Sequence, residues 1–174
     1  PGRSNHAMTN GRPPLRAVLG TILAAPLFMG AVLIYVPYAL TGWRRGPALF
    51  GFEGTRWIGV LLALLALPVL ADFLVRFVAE GHGTPAPVAP PQRLVVGGMF
   101  RFVRNPAYLA AVTAIAGEGL YLASLAVLVY ALGAWAFFHL MVVLYEEPTL
   151  RAKFGADYEA YCRRVPRWIP RRPR

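Results

Sequence analysis

From Pro106 to Tyr145 the chain runs for 40 residues with Glu118 as its one carboxylate or cation besides His139. A single helix of that length would extend about 60 Å, twice the roughly 30 Å of a hydrocarbon core. Two spans folded into a tight hairpin fit instead. The turn is expected near Gly117–Ser124, where Gly117, Gly119 and Ser124 cluster. Upstream, Ala17–Leu40 is uncharged over 24 residues, and Trp57–Val75 carries only Asp72. Pro26 and Pro37 interrupt the first run, which a spanning helix tolerates when neighbours satisfy the freed carbonyls. Asp72 and Arg76 are four apart and share a helix face, so they can pair. The expected fold is an all-α integral membrane protein with about four transmembrane helices, near 17–40, 57–75, 106–122 and 124–145.

Composition agrees. The chain is 57% hydrophobic and 15% charged, against about 25% charged for an ordinary soluble domain. That excludes a disordered chain and argues against a soluble one. The lone Cys162 excludes a disulfide framework, and no His, Asp, Glu or Cys set has metal-ligand spacing, so no metal is expected. The net charge is +10, and eight of the 18 Lys and Arg residues lie in the last 24 positions. Arginines flank the apolar runs and do not form a stripe interleaved with aromatics. Anionic lipid headgroups therefore suit them better than nucleic acid. Arg12, Arg16, Arg93, Arg101, Arg104 and the basic tail outweigh Arg44, Arg45 and Arg56, which puts both termini in the cytoplasm. Pro1–Ala7 reads as an expression remnant ahead of Met8, and 8–174 as a single membrane domain.

Two segments depart from the apolar pattern. Residues 80–105 are rich in Pro and Gly, a length of loop that usually carries function. After Pro148, the residues Leu150, Phe154, Tyr158, Tyr161 and Val165 recur at helical spacing. They predict an amphipathic cytoplasmic helix over 148–165 that lies on the membrane or caps the loop.

Chemistry can live at a few places. Glu118 is expected at the hairpin turn, on the outer surface, and His139 among aromatics as a packed or hydrogen-bonded residue. Arg104-Asn105-Pro106-Ala107-Tyr108 sets proline at the start of a helix. The free N–H groups there, with the Arg104 fork, suit a carboxylate or phosphate; an interfacial Arg/Tyr anchor is the other reading. Glu146-Glu147 falls at an expected helix break before Pro148. It suits an ammonium, a sulfonium or ribose hydroxyls, or else forms a solvated acidic cap. In Gly81-His82-Gly83 the glycines would let backbone approach a ligand closely, but neither a dinucleotide nor a P-loop spacing is present.

The stretches GHGTPAPVAPPQRLVVGGMFRFVRNPAYL and LYEEPTLRAKFGADYEAYCRRVPRWIP, in that order around a hairpin, resemble the isoprenylcysteine carboxyl methyltransferase family and the related phospholipid methyltransferases. The resemblance implies a small bacterial-type enzyme of the cytoplasmic membrane that uses S-adenosylmethionine and releases S-adenosylhomocysteine. It implies donor binding by Gly81, His82, Gly83, Arg104, Asn105, Pro106, Tyr108, Glu146 and Glu147, with Arg104 and Glu146 as the candidates for a catalytic role. The acceptor would be lipidic or apolar, with Arg163 and Arg167 as candidates to meet its headgroup or to anchor in lipid. Asn105 stands where the prenylcysteine enzymes usually carry His, which points away from that acceptor. Two rival readings are an NADPH-dependent membrane reductase of similar fold and a non-catalytic membrane module.

Overall fold

The computed structural model describes residues 27–79 and 94–172, with backbone alone over 74–79. The Gly81-His82-Gly83 motif, Arg93, the Arg76 side chain and the first part of the first apolar run lie outside the described residues. We number the helices α1 (Leu27–Thr41), α2 (Gly54–Ala79), α3 (Pro106–Leu122), α4 (Leu125–Met141) and α5 (Glu147–Arg164). No strand occurs among the described residues, as expected of an all-α chain. Among the described residues two helices are long and apolar enough to cross a membrane, Gly54–Phe73 and Leu125–Arg164. In the second, the apolar sequence lies in α4, and α5 turns charged from Glu147 onward. We therefore treat α4 as its membrane-spanning part. At 17 residues, α3 is shorter.

The hairpin forms as the sequence predicts. Ala123 takes a left-handed conformation, and Ser124 caps α4 by accepting a hydrogen bond from the Val127 N–H at 3.3 Å. Gly117 has a different task from the turn expected of it. A Cβ on Gly117 would lie 2.7 Å from the Gly59 carbonyl oxygen, and one on Gly59 would lie 2.4 Å from that of Gly117. The glycines let α2 and α3 touch backbone to backbone. Between helices in lipid there is no hydrophobic drive, so such close packing supplies the attraction. Small residues continue the theme at the other contacts. Ala111, Ile115, Val127, Ala131, Ala134 and Phe138 form the α3–α4 core, and Ala66, Leu70 and Ala110 the α2–α3 core. Arg56 satisfies the end of α3, with Nη1 donating to the Tyr121 carbonyl at 2.8 Å and Nη2 to that of Gly46 at 2.9 Å.

Glu118 is not at the turn. It lies inside α3, half-buried, with Oε2 buried and unpartnered. The helix runs to Leu122, the end expected of that span, and the left-handed residue that stops it is Ala123.

Among the described residues, Pro37 and Pro148 each have a wide π-helical turn just before them, whereas Pro68 lies inside α2 without one. Ala31–Tyr35 precedes Pro37, and Val142–Glu146 precedes Pro148. A proline ring clashes with the carbonyl four residues back and offers no N–H to it. Widening the turn relieves the clash and leaves one carbonyl without its helical donor. At the first site the Tyr130 hydroxyl donates to that carbonyl, Val32, at 3.0 Å. At the second, α4 runs into α5 without the break expected before Pro148.

The helix expected over 148–165 is α5, kinked where Gly155 takes φ +50°. Its predicted apolar face is the buried one. Tyr158, Tyr161 and Val165 pack with Leu94, Leu150 and Phe154, so α5 caps the segment leading to α3.

Candidate functional site

Four pieces of chain converge where α3 begins: the Gly98–Arg101 turn with the residues after it, the first turn of α3, the α4–α5 junction, and the segment after α5. Pro106 starts α3 as expected, and Asn105 before it is non-helical, at φ −122° and ψ 58°. The Asn105 side chain does not cap the helix. Its amide donates to the Arg167 carbonyl at 3.1 Å. Tyr108, one turn in, donates its hydroxyl to Glu146 Oε1 and stacks on Phe138 of α4 at 4.6 Å.

The acidic pair divides. Glu147 is 2% exposed and faces three guanidinium groups. Arg167 grips it with two bonds, Nε to Oε1 at 2.6 Å and Nη2 to Oε2 at 2.9 Å. Arg104 Nη1 lies 3.1 Å from Oε1, and Arg151 Nη2 lies 3.1 Å from Oε2. Three of these four contacts are hydrogen bonds, and the fourth, from Arg104, is an ion pair. Burial alone would raise the Glu147 carboxyl, but the Arg167 bonds and the charges of Arg104, Arg167 and Arg151 overcome it and hold the group below the ordinary 4.5. Glu146 moves the other way. Burial raises it, the Tyr108 hydrogen bond opposes, and the charge of Glu147 adds to the rise. It is half-buried, and Tyr108 takes one of its acceptor positions.

Arg104 stands between these groups. Its backbone N–H donates to the Pro166 carbonyl at 2.9 Å and its Nη1 to Cys162 Sγ at 2.7 Å. Its Nε is buried without a partner, a costly state unless some acceptor meets it.

The segment after α5 is a strap, fixed along its length. Beyond the bonds at Pro166 and Arg167, the Arg171 N–H donates to the Phe102 carbonyl at 3.0 Å, and Trp168 Nε1 donates to His139 Nδ1 at 3.0 Å. The sequence offers Arg163 and Arg167 either to an acceptor headgroup or as solvated or lipid-anchoring arginines. Arg167 is engaged with Glu147, and Arg163 is exposed near the end of α5, outside that ion cluster. His139 is hydrogen-bonded, as expected of it. Sequence reading misses Arg151, Cys162 and Trp168. Arg151 stands four residues after Glu147, a spacing that marks a helical ion pair, whereas the strap contacts leave no local signal. Nearby, Pro68, Val69, Met99 and Phe102, with Asp72 and Arg101, line an open hollow of about 450 Å³ between α2 and the Gly98–Arg101 turn. The Met99 N–H donates to Asp72 there at 3.2 Å.

No curated protein and no solved structure matches the chain. A family model does, that of the phospholipid methyltransferases, over residues 55–157. The matched stretch is more than half of the chain and takes in α2, the α3–α4 hairpin, Arg104, Tyr108 and both glutamates. With Arg104, Tyr108 and the Glu146-Glu147 pair in one place and the apolar helices around them, the chain is a member of the phospholipid methyltransferase family, a family of membrane methyltransferases.

Proposed function

We propose that the protein transfers a methyl group from S-adenosylmethionine to a lipidic or apolar acceptor at the cytoplasmic face of a bacterial membrane. In this reading it has four spans and both termini are cytoplasmic. The observation that carries the donor reading is the meeting of a half-buried carboxylate, Glu146, with an orphaned buried guanidinium N–H, that of Arg104, inside the family-matched stretch. The donor is amphoteric. Its carboxylate fits Arg104 Nε and the free N–H groups at the start of α3. Its ribose hydroxyls or ammonium fit the acceptor positions Glu146 retains. Glu147, surrounded by arginines, holds the site together and leaves ligand contact to its neighbour.

When bound, the donor supplies an electrophilic methyl on a sulfonium. The chain's own part is alignment and exclusion of water. Tyr108 fixes the Glu146 rotamer through its hydroxyl while its ring closes the site against Phe138. A carboxyl raised by burial is also a better base near neutral pH. Glu146 therefore suits removal of a proton from an amine acceptor, and a carboxylate acceptor would need no base. The apolar hollow beside α2 supports approach of the acceptor from the bilayer. No observation favours the reductase or the non-catalytic module.

The test is calorimetric titration of the detergent-purified chain with S-adenosylhomocysteine and, separately, NADPH. S-adenosylhomocysteine alone is expected to bind, and Glu146→Gln is expected to weaken it about tenfold or more, the worth of a charged hydrogen bond. Binding of NADPH, or of neither compound, would overturn the proposal.

A further inference from the structure

The contacts around the candidate donor site form a closed ring. Tyr108 meets Glu146, and its ring stacks on Phe138. Next to Phe138 on α4, His139 accepts the indole N–H of Trp168 at 3.0 Å. Next to Trp168 on the strap, Arg167 grips Glu147 at 2.6 and 2.9 Å. Glu147 is the chain neighbour of Glu146, which returns to Tyr108. Three of these links involve residues expected at the site. The fourth, between His139 and Trp168, touches none of them.

We propose that the His139–Trp168 hydrogen bond is a latch, and that both residues are positioning residues for donor binding. This rests on the donor-site reading above. An indole N–H can only donate, so His139 presents Nδ1 as an unprotonated acceptor and keeps its proton on Nε2. The ring planes reinforce the bond. His139 stacks on Trp135 at 5.5 Å and stands 5.9 Å from Trp168. Trp168 also packs against the α3–α4 core that includes Phe138. The latch therefore ties the strap to the membrane helix, while the other strap bonds tie it to the segment before α3 and, through Arg167, to Glu147. With the latch made, Arg167 is held where its fork meets Glu147, and the π-helical junction keeps Glu146 turned toward Tyr108. With it open, the strap keeps its contacts to 102–105 and the Arg167–Glu147 pair but loses its hydrogen bond to α4, which leaves Arg167 less firmly held against the α4–α5 junction.

Histidine chemistry gives a clean test. Asn carries its side-chain oxygen close to where His carries Nδ1, so His139→Asn keeps the acceptor and His139→Leu removes it. Trp168→Phe removes only the donor and keeps most of the ring, which covers the case in which His139→Leu does not fold. Two readouts are taken on the full chain in detergent: the rate of tryptic cleavage after Arg167, and the affinity for S-adenosylhomocysteine. His139→Leu and Trp168→Phe should each be cleaved faster and bind about tenfold more weakly, the scale of one lost buried hydrogen bond. His139→Asn should restore both. Cleavage that is the same in all four proteins would overturn the latch. Faster cleavage with unchanged affinity would overturn the positioning role. Wild-type protein that resists trypsin as expected but takes up no S-adenosylhomocysteine would overturn the donor-site reading, and the positioning role with it.

Discussion

At the scale of single residues, two adjacent carboxylates have opposite environments. Glu147 is buried among guanidinium groups, and its truncation to Ala leaves them facing one another. We expect Glu147→Ala to cost about 3 kcal/mol of stability, the low end for unpairing a buried charge, since Arg167 keeps part of its surface in water. A thermal melt in detergent checks this. The pH dependence follows from the direction of the shift. The folded Glu147 carboxyl lies below its ordinary 4.5, so its stabilisation is in place above that value and is lost as the pH falls through the depressed one. Glu146 is raised, so its own contribution to stability is present in acid and lost as the pH rises through the raised value. Ligand binding needs its charged form. Affinity for S-adenosylhomocysteine should therefore decline at a higher pH than stability does, and titrations at stepped pH, paired with melts, would separate the two. Loss of both at one pH would contradict the division. Sequence alone makes Glu146-Glu147 a single unit, because nothing local distinguishes them. The difference arises from Arg167, 20 residues on, and from Tyr108, 38 residues back.

At the scale of elements, the sequence is most legible where one period or one residue type decides the outcome. The 40-residue apolar stretch, with Glu118 as its one carboxylate, requires a hairpin, and the spacing of Leu150, Phe154, Tyr158, Tyr161 and Val165 marks the buried face of α5. The misreadings share a cause. Gly117 looks like part of a turn because glycine is common there, yet its lack of a side chain serves the contact with Gly59. Pro148 looks like a helix break, yet a wide turn absorbs it and keeps α4 and α5 continuous. Both outcomes depend on what lies across the helix, which no local pattern encodes. The glycine crossing makes a direct prediction. Gly59→Val would press a branched side chain into the Gly117 carbonyl, where even a Cβ lies at 2.4 Å. Forcing α2 and α3 apart should cost about 1–3 kcal/mol, typical of overpacking. Gly133→Ala, which meets nothing within 4 Å, should not lower the melting temperature, because alanine in a helix restricts the unfolded chain.

At the scale of the whole molecule, the arrangement joins an apolar bundle to a polar cap on one side. Exposed Leu61, Leu64, Leu65, Leu132 and Phe137 suit contact with lipid, whereas the arginine cluster, strap and α5 gather at one end. If that end is cytoplasmic, an impermeant maleimide applied to intact cells should label Glu53→Cys and spare Arg172→Cys, both in a Cys162→Ser background. The reverse pattern would invert the topology. The family relation and the Arg-Asn-Pro-x-Tyr and Glu-Glu motifs are legible in the sequence alone, since their residues lie in short contiguous runs. The strap that closes the site is not, since its contacts span up to 69 positions, from Phe102 to Arg171. The central claim is methyl transfer to a lipidic acceptor, and one measurement addresses it directly. The purified chain is incubated with methyl-tritiated S-adenosylmethionine and a total membrane lipid extract, and radioactivity is counted in the organic phase. Label is expected in the lipid fraction with wild-type protein and little with Glu146→Gln. An organic phase without label, from protein that still binds S-adenosylhomocysteine, would contradict a lipidic acceptor.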